Sequence, residues 1–280
     1  MTVLSPEAIV ASVRELPSLP AAVMELIQSM GNTEVNAEEL ASKISNDQAL
    51  AAKTLRLANS SFYGMSRQVT SIADATTILG LRTLHSVATA AGVAGNFSKV
   101  RCQGFDFNAF WRHCIGVALC AQSLAQAARL EAGSAFTLGL LHDIGRLALA
   151  SSFSEQYAQV LQYQREQDCF ILEAERAVLG TDHAQVGGLI AEHWRFAPAF
   201  VEAIAEHHDP KPAAAARLSD VVHVADNMAH ALDLSRLEDD MVPPLSTASW
   251  SRFALDERKC RQMFMNTESQ HEAVCQALLS

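Results

Sequence analysis

The sequence predicts an all-α protein, and three observations support that fold class. Apolar residues recur with the helical period of 3.6 through almost every segment of the 280-residue chain. Residues that favour helix starts recur along the chain, each before a run of good helix formers. No segment shows the convincing alternation of apolar and polar residues that marks a half-buried strand. We therefore expect helices throughout and no sheet.

The first hundred residues contain four helix start signals. In chain order these are Ser5 before Pro6, Asn36, Asp47 and Ser71. Asn36 is followed three residues later by Glu39, which is a capping-box pattern. After Asp47, an apolar stripe of Leu50, Leu55 and Leu57 predicts an amphipathic helix that packs on one face. The helix that begins after Ser71 is expected to stop at Gly80.

The rest of the chain reads as further helices separated by proline-rich breaks. We expect helices from Asp106 or Asn108 through Arg129, from Ser134 onwards, from Asp182 to about Trp194, from Pro198 to His207-His208, and from about Ala214 to Leu232. The helix from Ser134 is expected to include His142-Asp143. The Asp209–Pro212 stretch is a helix breaker, and Pro243-Pro244 predicts a loop before one or two terminal helices.

Composition limits the possible functions. The net charge is −10, with no Lys/Arg-rich run, and such a surface repels phosphate backbones, so we expect no nucleic-acid binding. No apolar run reaches the 18 residues of a membrane span, and the N-terminal segment reads as a helix with two glutamates, not as a signal peptide. The six cysteines are scattered without a CxxC pair, which fits reduced thiols and a cytoplasmic location.

Histidine is distributed unevenly. Residues 1 to 100 contain one histidine, His85, whereas residues 107 to 230 contain eight. We therefore expect an N-terminal helical subdomain (1–100) packed on a histidine-rich helical bundle (101–234), followed by a C-terminal helical extension (235–280). The polar stretch from Ser98 to Asn108 is the predicted join.

Two doublets and three single residues form a candidate metal-binding set. Its members are His113, His142, Asp143, His183, His207, His208 and Asp226. Imidazole nitrogen and carboxylate oxygen together suit iron, manganese, zinc or nickel, and seven ligands are enough for a binuclear centre. Neighbouring helical residues diverge by about 100°, so His142 and Asp143 could serve two metals, with the carboxylate bridging them.

Each candidate also has an ordinary structural explanation. His113 could be a hydrogen-bonded core histidine, and Asp143 a lone buried carboxylate. His183 could be a surface residue near a helix cap, and the His207-His208 doublet could simply end a helix. Asp226, flanked by His223 and His230, could belong to a local ion-pair network. Two more histidines, His193 and His271, look like surface or boundary residues.

The order of these residues resembles the metal pattern of the HD phosphohydrolase superfamily, and specifically its binuclear HD-GYP branch. Three N-terminal segments resemble the HDOD (HD-related output domain) family of bacterial signalling proteins more closely. These are LPSLPAAVMELIQ at 16–28, ISNDQALAAKTLRLANSSFYG at 44–64 with its Asn59-Ser60-Ser61 signature, and SIADATTILGLRTL at 71–84. The resemblance covers roughly residues 16 to 212 and implies a helical subdomain packed on an HD-like bundle.

Two departures from the HD-GYP pattern concern activity. The resembling hydrolases have a lysine in HDIGK, where this chain has Arg146 in HDIGR. The GYP motif is missing, and a short proline-broken link follows His208. Arg146 and Asp143 are the candidate catalytic residues, with no catalytic role established for either.

Three functions are compatible with these features. The first is a signal-transduction output module that acts through a protein partner, with a retained binuclear metal site and a possible nucleotide or phosphate ligand. The second is a metal-dependent phosphodiesterase or phosphohydrolase, and the third is a di-iron oxygenase. Fold alone does not choose among them. We expect no appreciable hydrolysis of cyclic di-GMP.

Overall fold

The computed structural model describes residues 4–15, 21–29, 36–60, 68–96, 101–238 and 240–279. Within these ranges there are sixteen helices and no strand, so the predicted all-α class is confirmed. The helices are α1 (Pro6–Glu15), α2 (Ala21–Ser29), α3 (Ala37–Asn46), α4 (Gln48–Ala58), α5 (Ile72–Leu79), α6 (Leu81–Asn96), α7 (Phe107–Ala128), α8 (Ala132–Leu141), α9 (Ile144–Ser152), α10 (Ser154–Gln167), α11 (Ile171–Leu179), α12 (His183–His193), α13 (Pro198–Ala205), α14 (Leu218–Ala231), α15 (Thr247–Ser251) and α16 (Glu257–Leu279).

The predicted caps start the N-terminal helices. The side chains of Asn36, Asp47 and Ser71 each accept a hydrogen bond from a backbone N–H in the first turn of α3, α4 and α5. Asn59 links the end of α4 to the segment before α5. Its side-chain amide donates a hydrogen bond to the backbone carbonyl of Val69 and accepts one from the Val69 backbone N–H. Residues 16–20, which begin the segment LPSLPAAVMELIQ, and residues 61–64 lie outside the described residues.

The centre of the molecule is a bundle around α7, a long helix that is buried along most of its length. It packs against α8, α14 and α16, while α12 packs against α9 and α13. A Cβ on Gly139 would lie 2.6 Å from the Cα of Ala118, so only glycine permits the close approach of α8 to α7. This approach brings the residues at the end of α8 next to the face of α7 that carries His113.

Four predicted boundaries are wrong. The helix expected from Pro198 to His207-His208 ends at Ala205, so the doublet lies beyond it. The helix expected from Ser134 starts at Ala132, because Glu131 caps it with two hydrogen bonds to backbone N–H groups. It does not run through His142-Asp143: this doublet lies in a break between α8 and α9, where Asp143 leaves the helical conformation with φ −94° and ψ 16°. The helix expected from Ala214 begins at Leu218. In addition, α6, α10 and α11 had no individually predicted boundaries.

The C-terminal extension is attached to α14 by polar contacts. His230 donates to Asp240, the backbone N–H of Ser246 donates to His223, and buried Asp220 accepts from Ser249 and pairs with Arg252. The terminal helix α16 then packs on α7, α4 and α6. His271, expected to be a surface or boundary residue, is instead buried on α16.

His271 lies there because its Nε2 donates to the backbone carbonyl of Arg112 on α7. His193, the other histidine expected at the surface or boundary, is exposed. The proposed division at residue 100 stays a prediction, since residues 97–100 lie outside the described ranges. None of the helices in the described part of the chain combines the length and apolarity that a bilayer crossing requires.

Candidate metal centre

Five packed segments bring the seven predicted residues together. His113 comes from α7, the doublet His142-Asp143 from the break between α8 and α9, and His183 from the first residue of α12. The His207-His208 doublet follows the end of α13, and Asp226 comes from α14. All of them are buried except His208, which is partly exposed. His183 is therefore not the surface residue that its position near a helix cap allowed.

Two carboxylate oxygens organise the cluster. Asp143 Oδ1 lies 3.1 Å from His183 Nε2 and 3.6 Å from both His142 Nε2 and His207 Nε2. Asp226 Oδ1 lies 3.0 Å from His113 Nε2 and 3.7 Å from His142 Nε2. His142 is thus close to both carboxylates, which makes this a single connected centre. We call the surroundings of Asp143 Oδ1 the first subsite, and those of Asp226 Oδ1 the second subsite.

The imidazole rings of His142 and His207 are oriented by hydrogen bonds on their outer side. His142 Nδ1 donates to the carbonyl of Gly139, and His207 Nδ1 donates to that of Ile204, each at 2.7 Å. Both bonds fix the tautomer, so each Nε2 presents its lone pair to the centre. Neither Nε2 has a hydrogen-bond partner although both are fully enclosed, and Asp226 Oδ2 is likewise without one. Buried acceptors without donors are what a metal ion would satisfy.

His183 has a stronger orienting partner, which sequence reasoning missed. Glu175, fully buried on α11, accepts hydrogen bonds from His183 Nδ1 at 2.6 Å and from the His183 backbone N–H at 2.8 Å. It also accepts from the hydroxyl of Tyr157. A carboxylate behind an imidazole is the usual outer partner of a metal-ligating histidine.

The short distance between the side chains of His183 and His208 also favours a cation between them. Their Nε2 atoms are 2.8 Å apart, so at least one must carry a hydrogen unless a cation takes its place. Asp143, His183, His207 and His208 each offer one ligand atom within 4.8 Å of the others. This spacing fits a metal ion in the first subsite.

The charges of the cluster are set by burial and by its neighbours. Burial raises the pKa of Asp143, but His142, His183 and Arg146 outweigh it and hold that pKa well below its ordinary value. Burial lowers the pKa of His207, and the adjacent His142 and His183 lower it further, to about 3. His207 is therefore neutral, as a ligand must be.

The pKa of His183 moves the other way. Burial lowers it, but Glu175 and Asp143 outweigh burial and raise the pKa to about 10. Since ligation requires neutral imidazole, metal binding would release a proton from His183. The donor set therefore fits a divalent metal, with binding that weakens as the pH falls.

A cavity of about 360 Å³ borders the centre. His113, His208, His230 and Arg146 are among the residues that line it, and the others come from residues 104–106, α7, α10, α11 and the extension. Arg146 is held by Asp143 Oδ2 at 3.2 Å and by the hydroxyl of Tyr157 at 3.3 Å. Its guanidinium lies 5.9 Å from the ring centre of Phe110. A ligand entering this cavity would meet Arg146 and the metal subsites together.

The family assignment follows from the comparison with known families. The model of the HDOD domain matches residues 16–210, which is more than half of the chain. The chain belongs to the HDOD family. Other HDOD relatives include a Geobacter sulfurreducens HDOD domain protein of unknown function, whose crystal structure has a TM-score of 0.79 at 23% identity and covers 98% of each chain.

Two further relatives are similar over most of this HDOD protein. A Shewanella amazonensis SB2B protein, provisionally assigned as a phosphohydrolase, has a crystal structure with a TM-score of 0.78 at 29% identity, covering 96% of this chain and 97% of that one. An uncharacterised Treponema pallidum (strain Nichols) protein is 23% identical over 268 residues. The match covers 95% of this chain and 46% of that relative, so the chain spans about half of its length.

Proposed function

We propose that this HDOD protein is a bacterial, cytoplasmic signal-transduction output module that acts through a protein partner and retains a binuclear metal centre. Convergence supports the metal centre most directly: seven candidate ligands from five segments meet there, five histidines around Asp143 and Asp226, with unpartnered nitrogens of His142 and His207 facing inward. The metal would be iron, manganese, zinc or nickel, given the nitrogen and oxygen donors.

The residues behind the centre also support this proposal. Glu175 and the carbonyls of Gly139 and Ile204 hold three imidazoles in the tautomer that a metal requires. His113, His142 and Asp143 each offer a ligand atom within 4.8 Å of the others, which connects the first subsite to the second. The order of the ligands resembles that of the HD-GYP branch, which supports a pair of ions.

We expect purified protein to contain about two equivalents of metal, the number for which two-metal sites are built. The His142→Ala variant is expected to contain less metal than the unaltered protein, since it removes a ligand nitrogen that lies 3.6 Å from Asp143 Oδ1 and 3.7 Å from Asp226 Oδ1. Elemental analysis of the two proteins checks this, with the exposed-histidine variant His193→Ala as the control. Unchanged metal content in His142→Ala would contradict the centre, and absence of metal from every protein would rule out the metal-dependent phosphohydrolase and the di-iron oxygenase.

A metal-dependent phosphohydrolase is the second candidate, favoured by the cavity beside the centre. A metal pair in such a site supplies Lewis acidity to a phosphoester. Arg146 would contact a phosphate oxygen through its guanidinium while Asp143 and Tyr157 hold it in place. The Shewanella relative, provisionally assigned as a phosphohydrolase, is consistent with this alternative.

The loop after His208 favours the output module over a cyclic di-GMP hydrolase. Lys211 pairs with Glu206, and Arg217 pairs with Glu202 and donates to the carbonyl of Lys211. These contacts close a short link where the resembling hydrolases have a GYP loop. A cyclic dinucleotide would therefore lack part of the surface that holds it in line for attack.

We expect metal-loaded protein to leave cyclic di-GMP intact. The measurement is chromatography of the linear product after incubation, with an active cyclic di-GMP hydrolase as the positive control. Turnover that disappears in Asp143→Ala would overturn the output-module proposal in favour of the phosphodiesterase.

A further inference from the structure

One histidine outside the predicted ligand set faces the second subsite. His230 lies one helical turn after Asp226 on α14, and its Nε2 is 3.4 Å from Asp226 Oδ1. Its ring centre is 4.4 Å from that of His113. His230 also lines the cavity, with 18% of its side chain exposed. It is thus placed like a ligand at the open side of the centre.

The two subsites have matching geometry only when His230 is included. Around Asp143 Oδ1, three imidazole Nε2 atoms lie within 3.6 Å. Around Asp226 Oδ1 there are also three, from His113 at 3.0 Å, His230 at 3.4 Å and His142 at 3.7 Å. Without His230, the second subsite would share His142 and keep only His113 as its own imidazole.

His230 is oriented in the same way as His183. Its Nδ1 donates to Asp240 Oδ1 at 2.6 Å, the same length as the bond from His183 to Glu175. Asp240 is itself fixed, because Ser235 Oγ donates to its other oxygen at 2.6 Å. Both imidazoles therefore have a buried or half-buried carboxylate behind them and an Nε2 directed at an aspartate of the centre.

We propose that His230 is a direct metal ligand in the second subsite, together with His113, His142 and Asp226, and that Asp240 is its positioning residue. This inference rests on the proposed metal centre. Like Asp226, His230 lies beyond residue 210, where the match to the HDOD model ends. It also connects the metal to the C-terminal extension, since Asp240 belongs to that segment.

Cobalt binding tests the inference, because Co²⁺ can be counted by elemental analysis and its visible absorption reports the ligands. We expect the full chain to bind about two equivalents. His230→Ala should retain only the ion of the first subsite, with altered absorption. Asp240→Asn should bind both ions, with the second about 10–100-fold weaker, as is typical when an outer partner of a ligand is lost. His193→Ala, which removes an exposed histidine, should match the unaltered protein.

The possible outcomes separate the two proposals. If the unaltered chain binds two ions and His230→Ala binds both with unchanged affinity and absorption, His230 is only an ion-pair partner of Asp226 and the inference is wrong. If His230→Ala does not fold, as judged by circular dichroism, Asp240→Asn decides, and unchanged affinity for the second ion overturns the inference. If the unaltered chain binds no cobalt, the proposed metal centre itself fails.

Discussion

Gly145→Ala is expected to destabilise the protein by about 2–3 kcal/mol, an unusually large effect for adding one methyl group. Gly145 lies in the first turn of α9, where a Cβ would overlap the carbonyl oxygen of His183 and lie 2.8 Å from the backbone nitrogen of Gly187. Both atoms belong to the backbone of α12, so no side-chain rotation can relieve the overlap. The gain of about 1 kcal/mol in helix propensity on replacing glycine by alanine is smaller than the expected strain.

The same substitution should also weaken the first subsite, because α12 carries His183. Urea unfolding and cobalt affinity are the two measurements. Gly188→Ala is the matched control on α12, since its Cβ would meet only the side chain and Cα of Ala205, at 3.0 and 3.7 Å. We expect that control to stay within about 1 kcal/mol of the unaltered protein. Equal stability of the two variants would contradict the close packing of α9 on α12.

Glu175→Ala is expected to cost about 3–5 kcal/mol of unfolding free energy, the usual range when one partner of a buried charged pair is removed. The side chain is fully buried and accepts from the backbone N–H and Nδ1 of His183 and from the hydroxyl of Tyr157. Truncation leaves all three donors without an acceptor. His183 also loses its orientation, so metal affinity in the first subsite should fall about 10–100-fold.

Thermal unfolding and cobalt titration measure both effects. Glu173→Ala is the control on the same helix: the side chain is exposed and its carboxylate accepts from the backbone N–H of Phe170, so its loss should cost about 1 kcal/mol without changing metal affinity. Glu175→Gln keeps an acceptor oxygen and should recover part of the loss. Metal affinity that is unchanged in Glu175→Ala would show that His183 needs no orienting carboxylate.

The sequence was sufficient to predict the fold class and most helix starts, because capping residues and the apolar period act locally. It failed at His142-Asp143, where LGLLHDIGRLAL has an uninterrupted apolar pattern but the helix breaks. The packing that accompanies this break, with Gly145 against the backbone of α12, is a long-range contact. Such a contact leaves no periodic signal in the local sequence.

In the candidate site, too, local sequence motifs were found and contacts between residues far apart in the sequence were missed. The doublets were noticeable because two metal-capable residues are adjacent, and the order of the rest resembled a known pattern. Glu175 was missed because EAERAVL reads as an ordinary charged helix face. His230 was noticed only as a neighbour of Asp226. Its contact with Asp240 depends on how the extension returns to α14, and no motif in residues 232–240 predicts that path.

The position of α16 has a consequence for how the chain folds during synthesis. This helix packs on α7 and also on α4 and α6, which precede it by roughly two hundred residues. The α4 and α6 helices therefore leave the ribosome long before α16, which covers part of their apolar surface. Until then they would have to remain partly exposed, which is when aggregation and chaperone binding compete with folding. The core that encloses Leu57 is thus completed only after translation has passed Leu278.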